Sequence, residues 1–163
     1  MELYSIVNAY TIPDEQVTAG IYGGSIRDEH IQIPAQSVHS EWNRCVMTED
    51  VEVLFLAGHT HGLGVEFSIA PFDGQRVGES FYKNLDWHVP AITQYDPPIQ
   101  LKKGTGFEWK CTWNNPAPDP VHYGLRAVDE MCNLAMVYTP FSLTAKCQVV
   151  ASSDGILWRP ENP

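Results

Sequence analysis

The sequence has no uninterrupted apolar run approaching the roughly 20 residues that a membrane-spanning helix needs. Its opening residues, Met1-Glu2-Leu3-Tyr4-Ser5, lack the basic and apolar regions of a secretory leader, so an exported chain would be seen here in mature or trimmed form. Basic residues are scarce. Ten Lys and Arg stand against 20 Asp and Glu, a formal charge of −10, which sets the chain against nucleic-acid phosphates and anionic lipid. Charged residues of both signs make up only 18% against 44% hydrophobic, which excludes a disordered chain and a coiled coil. No two cysteines form a C-x-x-C pair, the usual signature of zinc or thiol-redox chemistry. Asn-x-Ser/Thr acceptors, internal repeats and sustained helical periodicity are missing as well.

What is present describes one folded domain over residues 1–163, rich in turns, with 12 Gly and 12 Pro. Apolar residues alternate or run in short blocks, which predicts strands at Leu3–Tyr10, Val17–Tyr22, His30–Ile33, Cys45–Ala57, His59–Ile69, Ile99–Leu101, Phe107–Trp113, His122–Ala127, Cys132–Tyr138 and Ala145–Ala151. So many short strands point to an all-β, antiparallel sandwich of jelly-roll type. The clearest alternation sets Phe107, Trp109, Cys111 and Trp113 on a buried face against Glu108, Lys110 and Thr112 on a wet one. Asn114–Pro120 and Asp86–Pro98 read as loops because their prolines cannot donate to a ladder, and residues 159–163 read as a terminal tail. The five tryptophans are scattered and most are expected in the core. Four widely spaced cysteines, Cys45, Cys111, Cys132 and Cys147, fit two disulfides and hence an oxidising compartment; four reduced core cysteines are the alternative.

The stretch with the most chemistry is Gly58-His59-Thr60-His61-Gly62-Leu63-Gly64. Histidines at i and i+2 on a strand share a face and can offer two imidazoles to one metal ion, with glycines leaving room around it. A third ligand has two main candidates. Glu66 completes H-x-H-x4-E, which resembles the first cupin motif and would suit Zn, Fe or Mn, but strand alternation turns Glu66 away from both histidines. Met131, in Asp129-Glu130-Met131-Cys132-Asn133, carries a soft thioether that selects copper, Cu(I) above all.

His59-Thr60-His61-Gly62-Leu63-Gly64 followed some 70 residues later by Glu130-Met131-Cys132-Asn133 resembles the C-terminal domain of the copper type II, ascorbate-dependent monooxygenases, over roughly residues 30 to 150. The resemblance implies a jelly-roll β-sandwich, one catalytic copper on His59, His61 and Met131, O2 activation with hydroxylation of a substrate C–H bond, and ascorbate or another reductant as electron donor. It also implies disulfides Cys45–Cys147 and Cys111–Cys132. The chain departs from the peptide-hydroxylating members at two positions: Ala57 stands where they have an arginine for the substrate carboxylate, and Ala135 where they have a tyrosine, while Asn133 is kept. A peptide C-terminus would therefore lack its clamp. The family's second, three-histidine copper belongs to a preceding domain that this chain does not supply, so a second copper-bearing domain or chain is an expected partner. His88 and His122 are candidates for positions beside the copper or the substrate, and His30 and His39 for surface or hairpin positions. The expected setting is periplasmic or extracellular, with O2 and an unknown small molecule or peptide as substrates and neither nucleic acid nor membrane as a partner. A non-catalytic copper-binding or interaction module and a cupin-like enzyme are the alternative readings.

Overall fold

The computed structural model describes residues 7–155. These form a 3-10 turn at Asp14–Gln16 and eleven strands: β1 (Tyr22–Arg27), β2 (Gln32–Ile33), β3 (Ser37–Met47), β4 (Val51–His59), β5 (Gly64–Phe72), β6 (Tyr82–Asn84), β7 (Thr93–Leu101), β8 (Gly106–Asn115), β9 (Val121–His122), β10 (Asn133–Thr139) and β11 (Cys147–Ser152). A four-stranded sheet, β1-β10-β4-β7, faces a five-stranded one, β11-β3-β8-β5-β6, and β2 pairs with β9 beside them. Every one of these pairings is antiparallel. The expected all-β sandwich is thus the fold.

β8 is the centre of the larger sheet because its alternation is the cleanest. Phe107, Trp109, Cys111 and Trp113 are fully buried, while Lys110 faces water. Opposite them the smaller sheet contributes Val53, Leu56, Leu134 and Met136. The Cys111–Cys132 disulfide joins β8 to the residue preceding β10, and Trp109 Nε1 donates to the Cys132 carbonyl at 3.2 Å. Cys45–Cys147 ties β3 to β11. Both pairings are those the resemblance implies. The Cys45–Cys147 link closes a span of 102 residues, so in the chain-entropy account it stabilises by about 4–5 kcal/mol. A Cys45→Ala, Cys147→Ala double variant is expected to lose stability on that scale, read as a lowered denaturation midpoint with a steeper urea dependence, because the unlinked unfolded chain exposes more surface.

Several sequence-based boundaries move. Cys45–Ala57 is two strands folded back at Thr48-Glu49-Asp50, where the Asp50 carboxylate accepts from Lys102 Nζ and the Lys103 N–H. The expected strand His59–Ile69 breaks at Thr60–Leu63, and a register shift after Gly64 turns Val65 outward. Thr93–Pro98, read as loop, belongs to β7; this is an edge strand, and Pro97 and Pro98 fall at a register shift between Val53 and Phe55, where no ladder donor is required. Tyr82–Asn84 is an additional strand, and His122–Ala127 shrinks to Val121–His122. Of the expected strand Leu3–Tyr10, residues 7–10 are irregular and the rest lies outside the described residues; Val17–Tyr22 is strand only at Tyr22. The tail at 159–163 and Trp158 also lie outside them. Trp109 and Trp113 are core, but Trp42 is half-buried under Arg44 and Trp87 is exposed.

His30 and His39 are not simple surface residues. β3 turns Glu41 and Asn43 inward, where Asn43 Nδ2 donates to Asp28 Oδ2 at 2.9 Å and Glu41 Oε1 accepts from His39 Nε2 at 2.9 Å. His30 Nδ1 stands 3.8 Å from Asp28 Oδ1, beyond hydrogen-bond reach, and both it and Glu41 Oε2 are buried without a partner among the described residues. Burial raises the Glu41 carboxyl above the ordinary value, with the His39 and Gln32 hydrogen bonds partly offsetting this and Asp28 adding to it. The folded chain therefore holds this proton more tightly than the unfolded one, and the stability it contributes is lost as pH rises through the raised value. In Glu41→Gln that loss disappears. Urea titrations across pH 4 to 8 are expected to show the variant gaining on the parent as pH rises.

Candidate metal centre

The centre is organised around a carboxylate. Glu130 is 1% exposed, and four donors converge on it: the His61 N–H at 2.9 Å, Trp113 Nε1 at 2.9 Å and the Met131 N–H at 3.3 Å on Oε2, and the Leu63 N–H at 2.7 Å on Oε1. Burial of a carboxylate is tolerable only with such a set of donors. The consequence is mechanical, because the loop Thr60–Leu63 leaving β4 is pinned to the segment entering β10. Gly64 completes the loop: its N–H donates to the His61 carbonyl at 3.0 Å, and a Cβ there would come within 2.1 Å of Thr60 Oγ1.

His61 is oriented from both ends. Its backbone N–H is held by Glu130, and its Nδ1 lies 2.8 Å from the Asp129 carbonyl oxygen. A carbonyl only accepts, so Nδ1 carries the hydrogen and Nε2 keeps a free lone pair. Asp129 is itself fixed by Arg126, whose Nε and Nη2 donate at 3.0 and 2.6 Å; that pairing, more than anything else, holds the Asp129 carboxyl below its usual range. His59 ends β4, and its ring meets that of His61 edge to face with centroids 5.1 Å apart. Partial burial lowers the His59 pKa, the neighbouring His61 lowers it further, and Glu130 works the other way.

Strand register places Asn133 across from His59 at the end of the β10–β4 ladder, and Met131 and His61 each stand two residues beyond that pair on their own chains. Met131 is fixed on each side: Glu130 before it is clamped, and Cys132 after it is tied by the disulfide to β8. Asn133 Nδ2 donates to Met131 Sδ at 3.2 Å, which leaves the buried Asn133 Oδ1 without a partner among the described residues.

A sequence profile described as the copper type II ascorbate-dependent monooxygenase, C-terminal domain, matches residues 17–159. The chain belongs to that family. Comparison with curated proteins finds no match. The family is one of copper-dependent oxidoreductases, and the two disulfides are of the kind that forms in an oxidising compartment.

In this monooxygenase-family domain the remaining sequence candidates have partners of their own. Glu66 forms an ion pair with Lys83 on the neighbouring strand at 2.8 Å, and among the described residues no three His, Cys, Asp or Glu side chains gather as a metal-holding group. The H-x-H-x4-E arrangement is therefore not assembled. His88 is exposed and hydrogen-bonded to Asp86, although the adjoining Trp87 ring lies next to Gly62, within 3.7 Å of where a Cβ would stand. His122 acts through its backbone: its carbonyl accepts the Glu130 N–H at 3.0 Å, while its side chain is exposed. The residue that sequence reasoning passed over is Glu130 itself. Its signal was an acidic residue directly before Met131-Cys132, where alternation leads into a buried strand and a solvated role is least expected.

Proposed function

We propose that His59, His61 and Met131 hold one copper ion and that the chain is the hydroxylating copper domain of a monooxygenase. The observation that supports this most is the Glu130 clamp, which joins the His61 loop to the Met131 segment and makes a His2Met donor set rigid before any ion arrives. The donor chemistry fits copper. Two neutral imidazoles and a thioether suit Cu(I) better than Zn or harder ions, and no carboxylate joins the pair among the described residues. Copper bound there would supply the reduction of O2 and the delivery of one oxygen atom to a C–H bond.

The chain's own residues do the rest. The Asp129 carbonyl keeps His61 in the tautomer that presents Nε2, the lowered pKa of His59 keeps its imidazole neutral and available, and Asn133 orients the Met131 thioether from below. Ascorbate or another reductant would feed the site, and a second copper-bearing domain or chain would provide the further electron. Substrates would be O2 and a small organic molecule, in the periplasm or outside the cell.

The protein is expected to bind one copper per chain and to consume O2 slowly with ascorbate, faster when a strong reductant stands in for the second copper, and His61→Ala is expected to abolish that consumption. A chain that binds copper but leaves O2 untouched even with strong reductant would be the non-catalytic copper module instead.

A further inference from the structure

His61 is held by Glu130 and by the Asp129 carbonyl, whereas His59 depends on the end of β4. That end is paired on one side only. The ladder to β10 runs through to Asn133 opposite His59, but the ladder to β7 stops at Leu56 opposite Thr93, so Ala57, Gly58 and His59 have no strand partner along that edge. The buried Gly58 N–H is satisfied from elsewhere. It donates at 3.1 Å to the hydroxyl of Tyr82, which reaches across from β6 in the opposite sheet.

The surroundings fix that hydroxyl. Tyr82 is 5% exposed, and its ring lies edge to face against Phe67, whose own ring packs so closely on Gly58 that a Cβ there would overlap it. The hydroxyl hydrogen goes to the Ala91 carbonyl at 2.6 Å, which leaves a lone pair for the Gly58 N–H. Burial raises the Tyr82 pKa and the Gly58 bond only partly offsets this, so the phenol stays a neutral donor at neutral pH. Ala91 belongs to the loop between β6 and β7, and Trp87 of the same loop lies beside Gly62. One hydroxyl therefore joins β6, the residue before His59 and the loop that flanks the histidine turn. A hydroxyl that merely completes the core would act on stability alone. Tyr138 is such a case: its hydroxyl donates to the Ala145 carbonyl at 2.7 Å, near the end of β10 away from Asn133.

We propose that Tyr82 is a positioning residue of the metal centre, its hydroxyl fixing the end of β4 and with it the direction in which His59 presents its imidazole. The proposal rests on the copper reading for the ion, while the hold on Gly58 is tested in metal-free protein. Tyr82→Phe removes the oxygen and keeps the ring. Its Gly58 amide is expected to exchange with solvent deuterium at least about tenfold faster than in the parent. Loaded with copper(II), the variant should show a shifted copper hyperfine splitting in its electron paramagnetic resonance spectrum. Its Cu(I) affinity should fall about tenfold, the low end of what loss of a ligand-orienting partner costs. Tyr138→Phe, the same chemical change made away from the centre, is expected to keep the parent's Gly58 exchange, spectrum and affinity.

Parent-like exchange at Gly58 in Tyr82→Phe would overturn the proposal. Faster exchange with the parent's spectrum and Cu(I) affinity would overturn it as well, and there the copper reading stands. Equal changes of spectrum and affinity in Tyr138→Phe would do the same, by tracing them to a general loosening of the core. If the parent itself takes up no copper, the copper reading falls and the positioning role falls with it, an outcome seen before any substitution is made.

Discussion

Glu130→Ala is expected to be among the most damaging single substitutions in the chain, with a loss of about 4 kcal/mol or more. Four donors lose their acceptor at once, two of them backbone N–H groups of the His61 loop and one the indole of the fully buried Trp113. A buried donor without a partner costs about 1–3 kcal/mol, and losses above 4–5 kcal/mol are rare and reserved for breaking a network of this kind. Glu130→Gln separates charge from shape. Its single oxygen can serve the three donors that share Oε2, but its amide NH2 then faces the Leu63 N–H, so a loss of about 1–3 kcal/mol is expected. Urea unfolding followed by circular dichroism reads both. A Glu130→Ala variant as stable as the parent would mean that the clamp does not hold the loop.

Removing Met131 is expected to weaken Cu(I) binding by about 100-fold or more, since loss of an outer partner alone typically costs 10–100-fold and a direct ligand should cost at least as much. The loss should be unequal between oxidation states. A thioether favours Cu(I), so Met131→Ala is expected to affect Cu(II) affinity less and to lower the copper reduction potential. His61→Ala should weaken both states. Asn133→Ala, which leaves the thioether in place without its amide contact, should fall between the parent and Met131→Ala. Competition with chelators specific for each oxidation state measures all of these. Equal losses of Cu(I) and Cu(II) in Met131→Ala would argue that sulfur is not bound to the metal.

Much of the architecture was legible because alternation on β8 is unambiguous. Four inward residues between wet ones specify a strand buried on one side, and the structure makes it the centre of the larger sheet. Boundaries were harder where the chain turns without glycine or proline. At Thr48-Glu49-Asp50 the reversal is held by contacts to Lys102 and Lys103, more than 50 residues away, which local pattern cannot register. The reverse error arose at Pro97 and Pro98, which look like loop residues and sit instead at an irregularity of an edge strand.

At the site, the histidine pair could be read from spacing, but for an incomplete reason. Only His59 is on the strand, and His61 is brought beside it by the turn that Glu130 pins. That carboxylate gathers donors from three separate stretches of chain, and a convergence of that kind cannot be seen in any one motif. The two departures, Ala57 and Ala135, are far apart in the sequence, and only register across the sheet sets them opposite each other.

The central claim is that sulfur and two imidazoles share one copper ion. X-ray absorption at the copper edge of Cu(I)-loaded protein tests it directly. The expected spectrum shows one sulfur and two imidazole scatterers in the parent and loses the sulfur in Met131→Ala with the imidazoles unchanged. A parent spectrum without sulfur, or one whose sulfur persists in Met131→Ala, would contradict it.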